Sequence, residues 1–323
     1  MSVLRGMRFF LGQLPSYTVI GYHMRARRWK MINPDFKGQT WLVTGASEGI
    51  GASIAEVAAR NGARVIAVGR SEQKLRDLKS RVQAASDNCP ESARNNGLII
   101  SAKADLSQMN EVSKLSARLR KKVKIDVLIN NVGILNETYH ETKEGLEQSY
   151  AVNLLGQYFL TETLLEGGVF AKAPLIIAMA SGGLYHQPLN FGLLNQPREN
   201  FDGPLAYASH KRAQIALVDH WRRQHRDKNI FSYVMHPGWV RTPGVARSMP
   251  MFSILLNPLL RSSYQATDTA IWLAQKRPTT KENIVWFDRK QRPSHIFGFT
   301  RRPRTTLTEI ISFMDRHIAQ IMR

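Results

Sequence analysis

Residues 40–60 constrain the fold of this chain more than any other segment. Thr40-Trp41-Leu42-Val43 reads as a short buried strand, TGASEGIG at 44–51 as a tight turn, and 52–60 as an alanine-rich helix. A strand that turns into a helix within so few residues defines a βα unit, and glycines in the turn let a bulky anion approach the backbone. Gly45, Gly49 and Gly51 have the spacing Gly-x-x-x-Gly-x-Gly, with Ser47 and Ile50 between them. The first amides of such a helix lack intrahelical partners and sit at the positive end of its dipole. The unit therefore suits the pyrophosphate of a dinucleotide.

The same alternation continues along the chain. Further strands are predicted at 64–68, 98–101 (continuing to 105), 127–129, 175–178, 230–234 and 284–287, and helices at 72–85, 107–122, 143–165 and 206–226. Residues 87–96, rich in Asn, Pro and Ser, read as a loop. Short apolar strands separated by longer helices predict an α/β fold. Specifically, they predict a single doubly wound Rossmann-type domain with a parallel sheet of about seven strands and helices on both faces. No composition break divides residues 38–290; 1–37 read as a basic, partly amphipathic extension, and 291–323 as a basic segment ending in a helix.

Composition narrows the function classes. The lone Cys89 excludes an internal disulfide framework, no Cys/His cluster has zinc spacing, and a reducing compartment fits. The formal charge of +20 calls for anionic partners. One cofactor phosphate engages one or two cations and leaves most of that excess unexplained. Arg5, Arg8, Arg25, Arg27, Arg28, Lys30 and Lys37 face only Asp35 before the first strand; Arg289, Lys290, Arg292, Arg301, Arg302 and Arg304 gather near the other end. The first group is interleaved with Phe9, Phe10, Leu11, Leu14, Tyr17, Ile20, Tyr22 and Trp29. No run of about 18 apolar residues exists and Pro15 interrupts the best window, which disfavours a transmembrane helix. Such a segment fits a mitochondrial targeting sequence, an anchor lying on a membrane, or an extension packed on the domain. The expected location is intracellular: cytoplasmic, peripheral to a membrane, or mitochondrial. No nucleic-acid motif accompanies the charge, so nucleic acid ranks below a small-molecule substrate as partner. A homo-oligomer is left open.

Chemistry enters at YASHK, 207–211. Tyr207 and Lys211, at i and i+4, share one helix face, so a phenol and an ammonium converge beside whatever the glycine turn holds. Upstream stand Asn130-Asn131-Val132-Gly133 after the fourth strand, Asn153 in a helical window and Ser181 after the fifth strand; Pro237-Gly238 follows the sixth. Taken in order over residues 38–288, these motifs resemble the short-chain dehydrogenase/reductase superfamily, with Val132 replacing the family's alanine. Finer features resemble its retinol-dehydrogenase-like branch: Phe201-Asp202-Gly203 before Tyr207, His236-Pro237-Gly238-Trp239, Thr242-Pro243, Met249-Pro250 and Asp288-Arg289-Lys290. The resemblance implies a catalytic tetrad of Asn153, Ser181, Tyr207 and Lys211. It also implies cofactor contacts from Gly45, Ser47, Gly49, Ile50, Gly51, Asp105, Asn131, Tyr207, Lys211, Pro237, Gly238 and Thr242. Asn153 resembles the family residue that positions a water near the lysine. For a lone Asp105 or Asn153, an ordinary cap or a solvated side chain is the competing reading.

The second strand ends Val68-Gly69-Arg70-Ser71, with no carboxylate before Glu72. A carboxylate there would repel a ribose 2′-phosphate, whereas Arg70 can pair with one, which favours NADP(H) over NAD(H). Glu48 weighs the other way, since many NADP-using relatives carry a basic residue in that turn. In the implied mechanism Tyr207 gives or takes the proton at the substrate oxygen, and Ser181 fixes that oxygen. Lowering a phenol from its usual pKa of about 10 by about three units needs about 4 kcal/mol. A cation ~5 Å away contributes roughly 3 kcal/mol at an effective dielectric of ~20, so Lys211 needs help from an oxidised nicotinamide ring. Tyr185, His186, Phe191, Leu193 and Leu194 in the loop 182–206, and Met249, Met251 and Phe252 in a lid at 239–260, suggest a lipophilic carbonyl or alcohol substrate. Core packing explains several of the same side chains. His186 and His236 read as satisfied polar groups. Two other classes remain: a silent cofactor-binding scaffold, and a basic membrane or nucleic-acid binder on the same fold.

Overall fold

In a computed structural model of the protein, residues 3–87, 97–121 and 123–323 are described, with side chains at the N-terminus from residue 10. The loop expected at 87–96, Cys89 included, lies outside them from residue 88 onward. Strand β1 (Thr40–Thr44) is buried throughout. Its Leu42 enters one apolar layer while Trp41 and Val43 enter the other. A strand buried on both faces needs helices above and below it, and that requirement organises the molecule.

Around β1 lie β2 (Arg64–Gly69), β3 (Leu98–Lys103), β4 (Ile125–Asn130), β5 (Phe170–Met179), β6 (Phe231–Met235), β7 (Ile284–Phe287) and β8 (Lys290–Pro293), in the spatial order β3-β2-β1-β4-β5-β6-β7-β8. All pairs are parallel except β7–β8. The sheet thus exceeds the seven-strand expectation by one antiparallel edge strand. That strand, Lys-Gln-Arg-Pro, is exposed along its length and carries no apolar alternation to announce it. Cations and proline at a sheet edge also discourage another chain from adding to it.

An N-terminal pair, α1 (Val3–Tyr17) and α2 (Val19–Ala26), precedes the sheet. One layer contains α3 (Gly49–Arg60) and α4 (Glu72–Asp87), the other α5 (Met109–Arg120). The predicted helix at 143–165 begins later and is interrupted: α6 (Gln148–Tyr150), a π turn at Ala151–Leu155, then α7 (Gly156–Glu166). Next comes α8 (Gly203–Gln224), capped by the Asp202 carboxylate, which accepts from Leu205 N at 2.8 Å. The expected lid resolves into α9 (Pro243–Ser248) and α10 (Pro250–Leu256). α11 (Ser263–Lys276) joins the α3 layer, and α12 (Leu307–Ile321) joins the α5 layer through Ile310 and Met314.

The N-terminal helices pack on the domain. Buried Arg261 donates to the carbonyls of Ser16 at 3.0 Å, Tyr17 at 3.0 Å and Thr18 at 3.3 Å, and makes a two-pronged pair with Asp288 at 2.7 and 2.9 Å. Arg25 reaches the same carboxylate at 2.6 Å. Tyr17 packs at a tilt against His236 with ring centroids 4.4 Å apart, and Phe10 stacks on Trp239 at 4.9 Å. Among the described residues no helix is long and apolar enough to cross a membrane. Replacing Arg261 with Met leaves a buried carboxylate with one cation fewer. The expected loss is about 3 kcal/mol in urea unfolding, against under about 1 kcal/mol if the network were dispensable.

Candidate active site

Strand order reverses beside β1, which has β2 on one side and β4 on the other, so a crevice opens at their carboxyl ends. Thr44 Oγ1 ties the diverging strands. It donates to the Ile129 carbonyl at 3.1 Å and accepts from the amides of Asn131 at 2.9 Å and Val132 at 3.2 Å. The Asn131 amide group donates back to the carbonyls of Thr44 at 2.9 Å and Gly45 at 3.3 Å. A Cβ at Gly45, where φ is +64°, would lie 2.9 Å from Val132 Cα, and one at Gly51 would collide with the Gly45 carbonyl. The turn therefore requires glycine at both positions.

α3 begins without a side-chain cap. Glu48, at the cap position, turns instead to Lys74 and Arg247. Burial works to raise the Glu48 carboxyl, but those two cations outweigh it and hold the group below its usual range. Glu48 is thereby neutralised, and the first amides of α3 are left for an anion. Arg247 belongs to α9, and the Thr242 side chain lies 3.3 Å from where a Gly49 Cβ would stand, so the lid starts against the turn. Ser47 packs beside Gly69, and Ile50 packs against the α3 layer. Arg70 is exposed, 4.0 Å from the Asp105 carboxylate. Asp105 also accepts from Ser107 N at 2.9 Å, as a turn residue does. The buried Pro237-Gly238 step follows β6, and Arg261 donates to the Pro237 carbonyl at 3.4 Å.

On α8, Tyr207 is half-buried, and the Ser181 side chain is near enough to its hydroxyl to favour the phenolate. Lys211 Nζ stands 5.6 Å from the Tyr207 ring centroid. Burial raises the Tyr207 phenol and the neighbouring Ser181 side chain opposes that, with a net upward shift. Burial also pulls the Lys211 ammonium down to about 7. Its partners are two neutral oxygens, the Met179 carbonyl at 2.8 Å and Gln214 Oε1 at 3.1 Å. Asn153 sits inside the π turn. Its side chain pairs with both the amide and the carbonyl of Ile134 at 2.7 Å, and its own carbonyl accepts from Gln214 Nε2 at 2.7 Å. Sequence reasoning missed Gln214, Gln157 and His210. Each is a polar side chain on a buried helix face, three or four residues from a residue it did single out, and that spacing is the signal available.

The loop 182–206 divides between the two readings given above. Tyr185 and Leu194 are core residues, whereas Phe191 is exposed and its ring packs on Phe313 of α12. His210 Nε2 donates to the Leu194 carbonyl at 2.7 Å, and burial lowers the ring to about 4, which keeps it neutral. His236 departs from expectation. Its Nδ1 accepts from Gly238 N at 2.9 Å, but its buried Nε2 has no partner among the described residues. The Tyr17 and Phe287 rings pack against the imidazole, with centroids 4.4 and 5.5 Å away.

The family described as short chain dehydrogenase matches residues 39–251, and the chain belongs to that oxidoreductase family. Along most of its length it is similar to dehydrogenase/reductase SDR family member 12 of Bos taurus, 34% identical over 300 residues and 92% of each chain. It is 31% identical to human retinol dehydrogenase 14 over 251 residues, 73% of this chain and 74% of the relative. Among solved structures, a short-chain dehydrogenase from Sphingobium yanoikuyae in complex with NADPH superposes with a TM-score of 0.59 at 20% identity. That match covers 88% of this chain and 95% of the other, and it shows the shared fold.

Proposed function

We propose that the protein is an NADP(H)-dependent oxidoreductase that interconverts a carbonyl and an alcohol on a lipophilic substrate, with Tyr207 as general acid and base. The observation that carries this reading is the convergence of Tyr207 with Lys211, whose Nζ lies 5.6 Å from the ring centroid, and with the neighbouring Ser181 side chain. Once bound, the nicotinamide supplies the hydride. Gly45, Gly49 and Gly51 with the start of α3 would hold its pyrophosphate, and Arg70 its 2′-phosphate. Ser181 orients the substrate oxygen, and Tyr207 delivers or removes the proton there. Burial alone keeps the phenol protonated, which suits carbonyl reduction; the oxidative direction needs more positive charge than Lys211 provides. A named relative acts on retinol, a lipophilic alcohol, and a solved neighbour holds NADPH; both support the reading.

Tyr207→Phe is expected to lower NADPH-dependent reduction of a long-chain aldehyde or retinal by at least about 100-fold, the range of general acid catalysis, while NADPH binding by fluorescence stays unchanged. Unchanged turnover would refute the role. Arg70→Asp removes a cation and adds a repelling carboxylate. Its dissociation constant for NADPH should rise by about tenfold or more while that for NADH changes little, and equal changes would remove the phosphate assignment.

The substrate class also bears on where the protein works. Leu11, Met251, Ile254 and Leu255 are 62–70% exposed, and Phe10 brings α1 against Phe252 of α10. The resulting apolar face on the lid suits the surface of an anionic membrane. Deleting 1–35 is a poor test, because it also strips Arg261 of three of its carbonyl partners. Ile254→Asp with Leu255→Asp is expected to abolish flotation with phosphatidylserine-containing vesicles at an unchanged melting temperature; retained flotation counts against this site.

A further inference from the structure

Two glutamines lie buried between α7 and α8, where apolar side chains would ordinarily meet. Gln157 and Gln214 are 3% and 4% exposed. Gln157 Nε2 donates to the carbonyls of Val132 at 2.6 Å and Val152 at 3.3 Å. Its NH₂ end is therefore fixed by two acceptors, and its oxygen must face the other way. That oxygen accepts from Gln214 Nε2 at 3.2 Å, and the same Nε2 donates to the Asn153 carbonyl at 2.7 Å. Two acceptors again fix the NH₂ end, so Gln214 Oε1 points at Lys211 Nζ, 3.1 Å away. Turning Gln214 over would set oxygen against the Asn153 carbonyl and NH₂ against an ammonium, and turning Gln157 over would set oxygen against the Val132 carbonyl and NH₂ against NH₂. Each link has one direction, set by the backbone carbonyls at the far end.

Resting on the Tyr207–Lys211 reading above, we infer that Gln214, oriented by Gln157, is a positioning residue of this enzyme. It presents a fixed oxygen to the Lys211 ammonium and occupies the place from which a water would bridge Lys211 to Asn153. A water can accept and donate a proton at one atom. An amide accepts at oxygen and donates at nitrogen, so this bridge orients charge without carrying protons. Its chemical effect is to favour the charged lysine, which burial opposes. A charged Lys211 in turn favours the Tyr207 phenolate.

The test is a near-ultraviolet titration of phenolate absorbance in the complex with NADP⁺, taken as wild type minus Tyr207→Phe. Losing an acceptor makes the ammonium less favourable, so the Tyr207 phenolate should appear at higher pH. Gln214→Leu is expected to move that titration up by about one pH unit, the equivalent of one hydrogen bond to a charged group. Gln157→Leu, which frees the amide to turn, should move it the same way by less. Gln214→Met serves if the leucine variant does not fold. A titration that stays put in folded variants, with activity lowered evenly at every pH, would show a packing role and overturn the inference. If Tyr207→Phe itself removes no titrating group and no turnover, the proton-donor reading falls and this inference falls with it. If it removes both while the glutamine variants leave the titration unmoved, the glutamine bridge alone falls.

Discussion

Two parallel strands that send their chains to opposite faces of a sheet must part at their carboxyl ends, and something has to hold the gap to a fixed width. Here the Thr44 hydroxyl and the Asn131 amide do so, through hydrogen bonds between the end of β1 and the end of β4. Both strands are buried, so unpaired amides and carbonyls at this point would each cost free energy comparable to a lost hydrogen bond. Pairing them across the gap satisfies the backbone and also sets the position of the glycine turn. The start of α3, the Pro237-Gly238 step and the Tyr207 face of α8 are arranged around that crevice.

The charged groups nearby are managed with few bare counter-ions. Lys211 is held by neutral oxygens, Arg261 by carbonyls and one shared carboxylate, and Glu48 by two cations from different elements. Neutral oxygens leave Lys211 a net positive charge to exert on its surroundings, which a carboxylate partner would cancel. Glu48 shows the converse: once paired twice, it no longer repels an incoming phosphate as a free carboxylate would. Those same pairs bring two cations to the edge of the glycine turn, although the turn itself contains none.

The sheet, its layers and the order of the motifs were legible because burial on both faces writes continuous apolar strands, and because a glycine turn has few alternatives. The Tyr207 and Lys211 face followed from helical spacing. Three things were not legible. β8 has no apolar pattern, since its pairing is with backbone alone. The π turn at Asn153, whose side chain bonds Ile134 nineteen residues away, leaves no local signature. The partners of Arg261 lie at both ends of the chain, and pattern within a window of a dozen residues cannot report them. The loop after Ser181 was ambiguous for a plain reason: core and cleft favour the same side chains.

The carbonyls of Ser16, Tyr17 and Thr18 meet Arg261 across 245, 244 and 243 positions of sequence. On the ribosome α1 and α2 emerge before the sheet, yet the guanidinium that joins them to the rest is made only after most of it. Until then those three carbonyls remain with water, and the aromatic rings around Tyr17 have no surface to cover. A segment synthesised before the sheet is thus among the last to find its place. Throughout that interval its basic, apolar surface stays uncovered.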